Sequence, residues 1–164
     1  MTFKKEIDVT EIKKFIEEQG KNTKIYLGCD SERFVSKGQI YADYILVVVI
    51  HKNGKNGCKI FGEVQTEVVY DKNKARPAMR LMTEAYKVAE LYAKLAEEID
   101  FDEYGGVEIH LDINPNKKYG SSCVIDQAVG YIKGVCNIVP MVKPQAFAAS
   151  YGADRYKEFM HKAG

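Results

Sequence analysis

Several residue types and patterns that would indicate particular protein classes are missing from this sequence. It contains no tryptophan, 4 prolines and 3 histidines in 164 residues. The 4 cysteines form no CxxC pair and show no metal-ligand spacing with the histidines, so neither a zinc site nor a disulfide framework is predicted. Because reduced, buried thiols are typical of cytosolic proteins, the cysteines indicate a cytoplasmic location.

Long apolar runs and an excess of charge are also absent. The N-terminal sequence MTFKKEIDVTEIKK lacks an apolar signal segment, and no run approaches the roughly 20 apolar residues of a membrane-spanning helix. We therefore expect a soluble cytoplasmic protein without a membrane partner. The formal net charge of +1 gives no global attraction to polyanions, so contact with nucleic acid would need a local patch.

The first half of the chain predicts one short helix and an antiparallel meander. Val9, Ile12 and Ile16 fall on one face of the predicted helix, and Asp8 or Thr10 can cap its N-terminus. A length of 164 residues suits a single domain, with residues 1–21 as an N-terminal helical extension. Strand-like runs linked by the turn sequences SKG and NGKNG predict hairpins. The strands are predicted at 24–34, 40–51 and 59–70.

The second half of the chain changes period and alternates helices with strands. A helix over 77–98 has apolar residues at intervals of three and four, and the later elements follow at 107–113 (strand), 121–134 (helix), 138–143 (strand) and 151–162 (helix). The order β-β-β-α-β-α-β-α predicts an α/β fold with a mixed five-stranded sheet and helices on both faces. This is the element order of ribonuclease-H-like proteins.

Four carboxylates occupy distinctive places in this order. Asp30 lies on the first strand, Glu84 on the rim of the long helix, Asp112 at the end of the fourth strand, and Asp154 at the start of the last helix. The first and fourth strands are predicted neighbours, so Asp30 and Asp112 can converge. Because Mg²⁺ and similar hard ions prefer oxygen ligands, such a group suits a site with two divalent ions.

Each carboxylate also has a simpler interpretation. Asp30 can be a turn residue that ends its strand, and Asp112 can close its strand by a side-chain turn bond before Asn114. Glu84 can be a solvated helix acid, and Asp154 a favourable acid in a first helical turn. Their joint placement on four separate elements favours a shared site.

Five short motifs carry a resemblance to a known family. They are GCDS (28–31), RLMTE (80–84), EIHLDI (108–113), KPQAFAAS (143–150) and ADR (153–155). With these motifs the chain resembles the YkuK-type family of bacterial ribonuclease-H-like proteins. The resemblance implies a two-metal nuclease-like site with Mg²⁺ or Mn²⁺, in which Asp30, Glu84, Asp112 and Asp154 are both the catalytic residues and the metal ligands.

Further residues near the predicted site are candidates for binding substrate. These are Ser31, Arg80, His110, Lys143 and Ser150. His110 can equally be a solvated or core histidine, and the segment from Lys143 to Ser150 a plain loop between strand and helix. Lysines near the NGKNG turn and after the fourth strand can hold a nucleic-acid backbone or simply be solvated.

These features support more than one function. The leading hypothesis is a divalent-metal-dependent nuclease of the ribonuclease H-like type, with RNA, DNA or RNA–DNA hybrid as its partner. The alternative is a non-catalytic nucleic-acid-binding or protein-interaction module that retains the fold, and a third is hydrolysis of a small phosphorylated metabolite. The sequence predicts neither the substrate nor the oligomeric state.

Overall fold

A computed structural model describes residues 6–52, 57–70, 78–113, 124–143, 146, 148 and 156–157. The helices and strands in these ranges are α1 (Val9–Gln19), β1 (Lys24–Ser36), β2 (Gln39–His51), β3 (Cys58–Val68), α2 (Ala78–Glu98), a 3-10 helix (Phe101–Glu103), β4 (Val107–Leu111) and α3 (Ile125–Cys136). No helix within the described ranges is long and apolar enough to cross a membrane.

The sheet has the strand order β3-β2-β1-β4. β1 pairs antiparallel with β2, and β2 pairs antiparallel with β3, which confirms the predicted meander. β4 pairs parallel with β1, so the first and fourth strands are neighbours as expected. The result is an α/β architecture in which the C-terminal ends of β1 and β4 point in one direction.

The prediction of a fifth strand at 138–143 was wrong in extent. Across the described ranges the sheet has four strands, and Met141 forms only an isolated parallel bridge with His110. The Leu111 N–H donates to the Met141 carbonyl over 2.9 Å, and the Met141 N–H donates to the Ile109 carbonyl over 2.8 Å. The segment therefore lies beside β4, but Pro140 provides no N–H donor to extend the pairing.

The main core lies on the face of the sheet that the helices cover. Alternate side chains of β1, such as Leu27, pack there with α1, α2 and α3 in one buried cluster. Helix α1 begins after Asp8, whose Oδ1 accepts from the Thr10 N–H over 2.9 Å, so the N-cap is the first of the two predicted residues. Burying the apolar stripe of each helix stabilises this side of the molecule.

The opposite face of the sheet is also covered. Tyr26 and Val49 pack with Ala148, and Ile45 and Val47 pack with Tyr156. Tyr156 and Lys157 are helical, while the rest of the predicted terminal helix lies outside the described residues. Cover on both faces explains why the middle of β2 is almost continuously buried.

Candidate active site

The strand register brings two of the predicted carboxylates together. Cys29 pairs with Leu111 across the parallel strands β1 and β4, so the next residues, Asp30 and Asp112, are adjacent. The two side chains lie on the same face of the sheet, because they follow a paired position in parallel strands. The Ser31 N–H donates to Asp30 Oδ1 over 2.9 Å and fixes the orientation of that side chain.

The environment of Asp30 disfavours its charged form. Burial raises its pKa to about 6, and the negative charge of Asp112 is the next cause. The hydrogen bond from the Ser31 backbone and the positive charge of Lys157 act in the opposite direction. A carboxylate in this position is stabilised by any added positive charge, including a metal ion.

Glu84 brings a third carboxyl group to the same place from helix α2. Its side chain is buried, with 5% exposure, and burial raises its pKa well above the usual range. The charges of Asp30 and Asp112 raise this pKa further, whereas Arg80 and a side-chain hydrogen bond with Ser31 lower it. Because burial is the main cause of the raised pKa, Glu84 belongs to the interior of the protein and is not a solvated helix acid.

Lys143 and Lys157 supply positive charge on the opposite side of the carboxyl pair. Lys143 Nζ lies 2.6 Å from Asp112 Oδ1, although this buried oxygen has no contact of hydrogen-bond geometry among the described residues. Lys157 forms an ion pair with Glu32 and lowers the pKa of Asp30. The sequence reasoning missed Lys157, because no local pattern distinguishes it from other helical lysines.

His110 lies in the interior beneath the site. Its side chain is 1% exposed, its Nδ1 accepts from the Ala148 N–H over 3.2 Å, and its Nε2 lies 3.3 Å from Glu108 Oε2. Burial lowers its pKa, so the neutral ring donates from Nε2 to Glu108. This geometry anchors the chain after Lys143 to β4, which corresponds to the core interpretation of the histidine.

The structure thus gathers most, but not all, of the predicted site residues. Asp30, Glu84 and Asp112 converge, with Ser31 in contact with Glu84 and Asp30. Two further predicted residues, Asp154 and Ser150, lie outside the described residues.

The donor chemistry of this group suits a hard divalent ion. The side chains of Asp30, Glu84 and Asp112 offer carboxylate oxygens, and within the described part of the chain the buried Asp112 Oδ1 makes no hydrogen bond. In the part of the chain that is described, however, no three His, Cys, Asp or Glu side chains are already arranged as a metal site. Asp30 and Asp112 instead face each other, and Lys143 contacts the pair.

One comparison with known proteins gives a match. A family model described as "Ribonuclease H-like" matches residues 8–158, which is most of the chain. No curated protein and no solved structure matches.

Proposed function

Because the chain belongs to the ribonuclease H-like family, we propose that Asp30, Glu84, Asp112 and Asp154 hold Mg²⁺ or Mn²⁺ and hydrolyse phosphodiester bonds in nucleic acid. The observation that supports this proposal most strongly is the adjacency of Asp30 and Asp112 beside the buried Glu84. Carboxyl groups so close together repel each other when ionised, and a divalent cation removes that repulsion.

Each of the proposed metal-binding residues has a defined role in this proposal. A bound divalent ion supplies a Lewis acid that polarises the phosphate and lowers the pKa of water. Asp30 in the middle of β1 and Asp112 just after β4 would hold it, and the backbone N–H of Ser31 keeps Asp30 oriented. Glu84 would ionise with the ion bound and add negative charge from a position where water is excluded.

The positive side chains would act on the substrate. Arg80, at the start of α2, has a buried Nε without a hydrogen bond among the described residues. Lys143 pairs with Asp112. When a metal ion binds the Asp112 carboxylate, the ammonium group of Lys143 would bind a phosphate oxygen instead. Ser31 and Ser150 complete the proposed substrate-binding set. His110 was predicted to belong to this set, but it is 1% exposed and would only position the chain after Lys143.

We infer further that the chain is a YkuK-type member of the family and that residues 1–164 form one cytoplasmic domain. The family match over residues 8–158 supports a single domain. Cys29, Cys58 and Cys136 are free thiols, which suits a reducing compartment. RNA, DNA and RNA–DNA hybrid are all substrates that this proposal admits.

Cleavage assays with end-labelled RNA, DNA and hybrid duplex, in Mg²⁺ and in Mn²⁺, test the proposal. We expect metal-dependent cleavage that Asp30→Asn slows by about 100-fold or more, because a carboxylate ligand is lost. Asp126→Asn, a matched change of an acid in the first turn of α3, should leave the rate unchanged. Absence of cleavage of all three substrates, or an unchanged rate in Asp30→Asn, contradicts the proposal.

A non-catalytic module that binds nucleic acid or protein is the second candidate. The contact of Lys143 with Asp112 favours it, because the ammonium group neutralises a carboxylate without any metal. Calorimetric titration with Mn²⁺ separates the two candidates. Metal binding that Asp30→Asn abolishes supports the enzyme, whereas nucleic-acid binding without measurable metal affinity supports the module.

A further inference from the structure

One row of side chains crosses the sheet beneath helix α2 and ends at the candidate active site. Ser31 pairs with Tyr44 across β1 and β2, and Tyr44 pairs with Gln65 across β2 and β3. Residues directly opposite each other in antiparallel strands share a face of the sheet, and Tyr44 belongs to the core cluster on the helix-covered face. Glu84 contacts Ser31 at one end of this row.

Lys87 of α2 contacts the other end of the same row. It lies three residues after Glu84, so the two side chains are neighbours on one helix face. Lys87 Nζ donates to Gln65 Oε1 and, over 2.8 Å, to Glu67 Oε1, and it lies 5.1 Å from the centre of the Tyr44 ring. Its side chain is 10% exposed. We call Lys87, Gln65 and Glu67 the α2 tether.

The strand side of the α2 tether is itself held in place. Gln65 Nε2 donates to Glu63 Oε2, which leaves Gln65 Oε1 directed at Lys87. Glu63 Oε1 accepts from the Ile7 N–H over 2.9 Å, so this carboxylate also connects β3 to the chain just before α1. The α2 tether therefore joins the helix to a fixed point on β3.

The physical chemistry of the α2 tether suits positioning better than stability. Withdrawing an ammonium group from water costs free energy, and replacing a buried ion pair by apolar side chains of similar volume is often neutral or stabilising. Apolar contacts between α2 and the sheet are non-directional, whereas hydrogen bonds weaken steeply when their angle changes. The tether thus opposes small rotations and translations of α2 that its apolar stripe would tolerate.

We propose that Lys87 is a positioning residue that sets the place of the Glu84 carboxyl group in the candidate active site. With Lys87 held over Tyr44 and Gln65, the preceding turn of α2 presents Glu84 to Ser31, at the opposite end of the row. The proposal rests on the proposed function in one respect, which is that Glu84 serves a bound metal ion.

The carboxyl carbon resonance of Glu84, measured by NMR in EDTA, tests this role without metal or cleavage. Glu84→Gln assigns the resonance by removing it. Lys87→Met keeps an unbranched apolar side chain but loses the donors, and it should shift the resonance because α2 is no longer held in one position. Gln65→Leu removes an acceptor without changing any charge, and should shift the resonance in the same direction by a smaller amount.

Calorimetric titration with Mn²⁺ provides the second readout. Lys87→Met should weaken Mn²⁺ binding by about tenfold, the lower end of the range for residues that orient a ligand without touching the metal. Lys87→Arg should restore both the affinity and the resonance, because a guanidinium group can donate to both acceptors. Lys94→Met removes a lysine that is 62% exposed on the same helix, and should change neither.

The outcomes separate this proposal from the proposed function. An unchanged Glu84 resonance, or an unchanged Mn²⁺ affinity, in a folded Lys87→Met variant overturns the positioning role. A shift in Lys87→Met that Gln65→Leu does not share also overturns it, because the lost charge then accounts for the change. If circular dichroism shows that Lys87→Met does not fold, an unchanged resonance in Gln65→Leu is the overturning result. Shifted resonances in a protein that binds no Mn²⁺ support the positioning role and contradict only the proposed metal site.

Discussion

Asp30 is the side chain on which the chemistry of the site depends. Its carboxyl group is partly withdrawn from water and lies beside Asp112 and near the buried Glu84. Taken alone, Asp30 was equally consistent with a turn residue, because its strand sequence contains no information about β4. The parallel register of β1 and β4 brings Asp112 beside Asp30, so the structure shows the surroundings of Asp30 that its own strand sequence does not.

The raised pKa of Asp30 predicts how stability depends on pH without metal. Its folded pKa is about 6, against 3.8 for the free group, so the folded state binds the proton more tightly. The free energy of unfolding should therefore fall as pH rises from about 4 to about 6, by on the order of 1–3 kcal/mol. Urea unfolding in EDTA at a series of pH values measures this.

Asp30→Asn removes one of the two carboxyl groups with a raised pKa and should reduce the slope of this part of the profile, while Glu84 keeps its own contribution. The neutral amide should also make the metal-free protein more stable at pH 7, since a buried like-charge interaction is lost. Asp126→Asn serves as the surface control and should keep the original slope. If Asp30→Asn retains the full slope between pH 4 and 6, Asp30 is not the source of the dependence.

Lys143 gives a second prediction at the level of single side chains. Its ammonium group lies 2.6 Å from Asp112 Oδ1 and competes with a metal ion for that oxygen. Lys143→Gln should therefore tighten Mn²⁺ binding, by about fivefold, because the half-exposed lysine contributes roughly 1 kcal/mol. Calorimetric titration with Mn²⁺ gives the dissociation constants directly.

The matched control for Lys143 is Lys94, an exposed lysine on α2 that pairs with Glu90. Lys94→Gln should leave Mn²⁺ affinity unchanged. Weaker Mn²⁺ binding in Lys143→Gln would contradict the competition, and would show that the lysine supports the metal-bound arrangement.

At the level of elements, local patterns account for most of the fold. The meander follows from alternating and buried strand runs joined by short turns, and α1 and α2 follow from apolar spacing and the Asp8 cap. The fifth strand was predicted at full length because the sequence around Met141 is apolar, but its pairing with β4 is confined to a single bridge. Contacts such as Lys157 with Glu32 join distant parts of the chain and leave no local signal.

Gly62 on β3 tests how the C-terminal segment packs on the sheet. A Cβ atom at this position would lie 2.6 Å from the ring of Tyr156, which is too close for any normal contact. Gly62→Ala should destabilise the protein by about 1–3 kcal/mol, the usual effect of overpacking. Chemical denaturation measures the change, and far-UV circular dichroism follows the same transition.

The contact with Tyr156 can be isolated by a double-mutant cycle. In a Tyr156→Ala background, Gly62→Ala should cost much less, because the ring that it meets is gone. Gly130→Ala in α3 meets no atom within 4 Å and should be neutral or stabilising by up to about 1 kcal/mol. Equal costs of Gly62→Ala in both backgrounds would show that Tyr156 does not pack on Gly62.

At the level of the whole molecule, the candidate site forms where the two covered faces of the sheet meet. Glu84 reaches it from the helical side, Asp30 lies within β1 and Asp112 directly after β4, and Lys157 reaches it from the opposite side.

A crystal structure with Mn²⁺, phased on the anomalous signal of manganese, tests the central claim most directly. The account predicts anomalous density roughly 2.1 Å from carboxylate oxygens of Asp30 and Asp112, with Lys143 moved away from Asp112 Oδ1. Saturating Mn²⁺ without anomalous density at these oxygens, and with Lys143 still paired with Asp112 Oδ1, would contradict it.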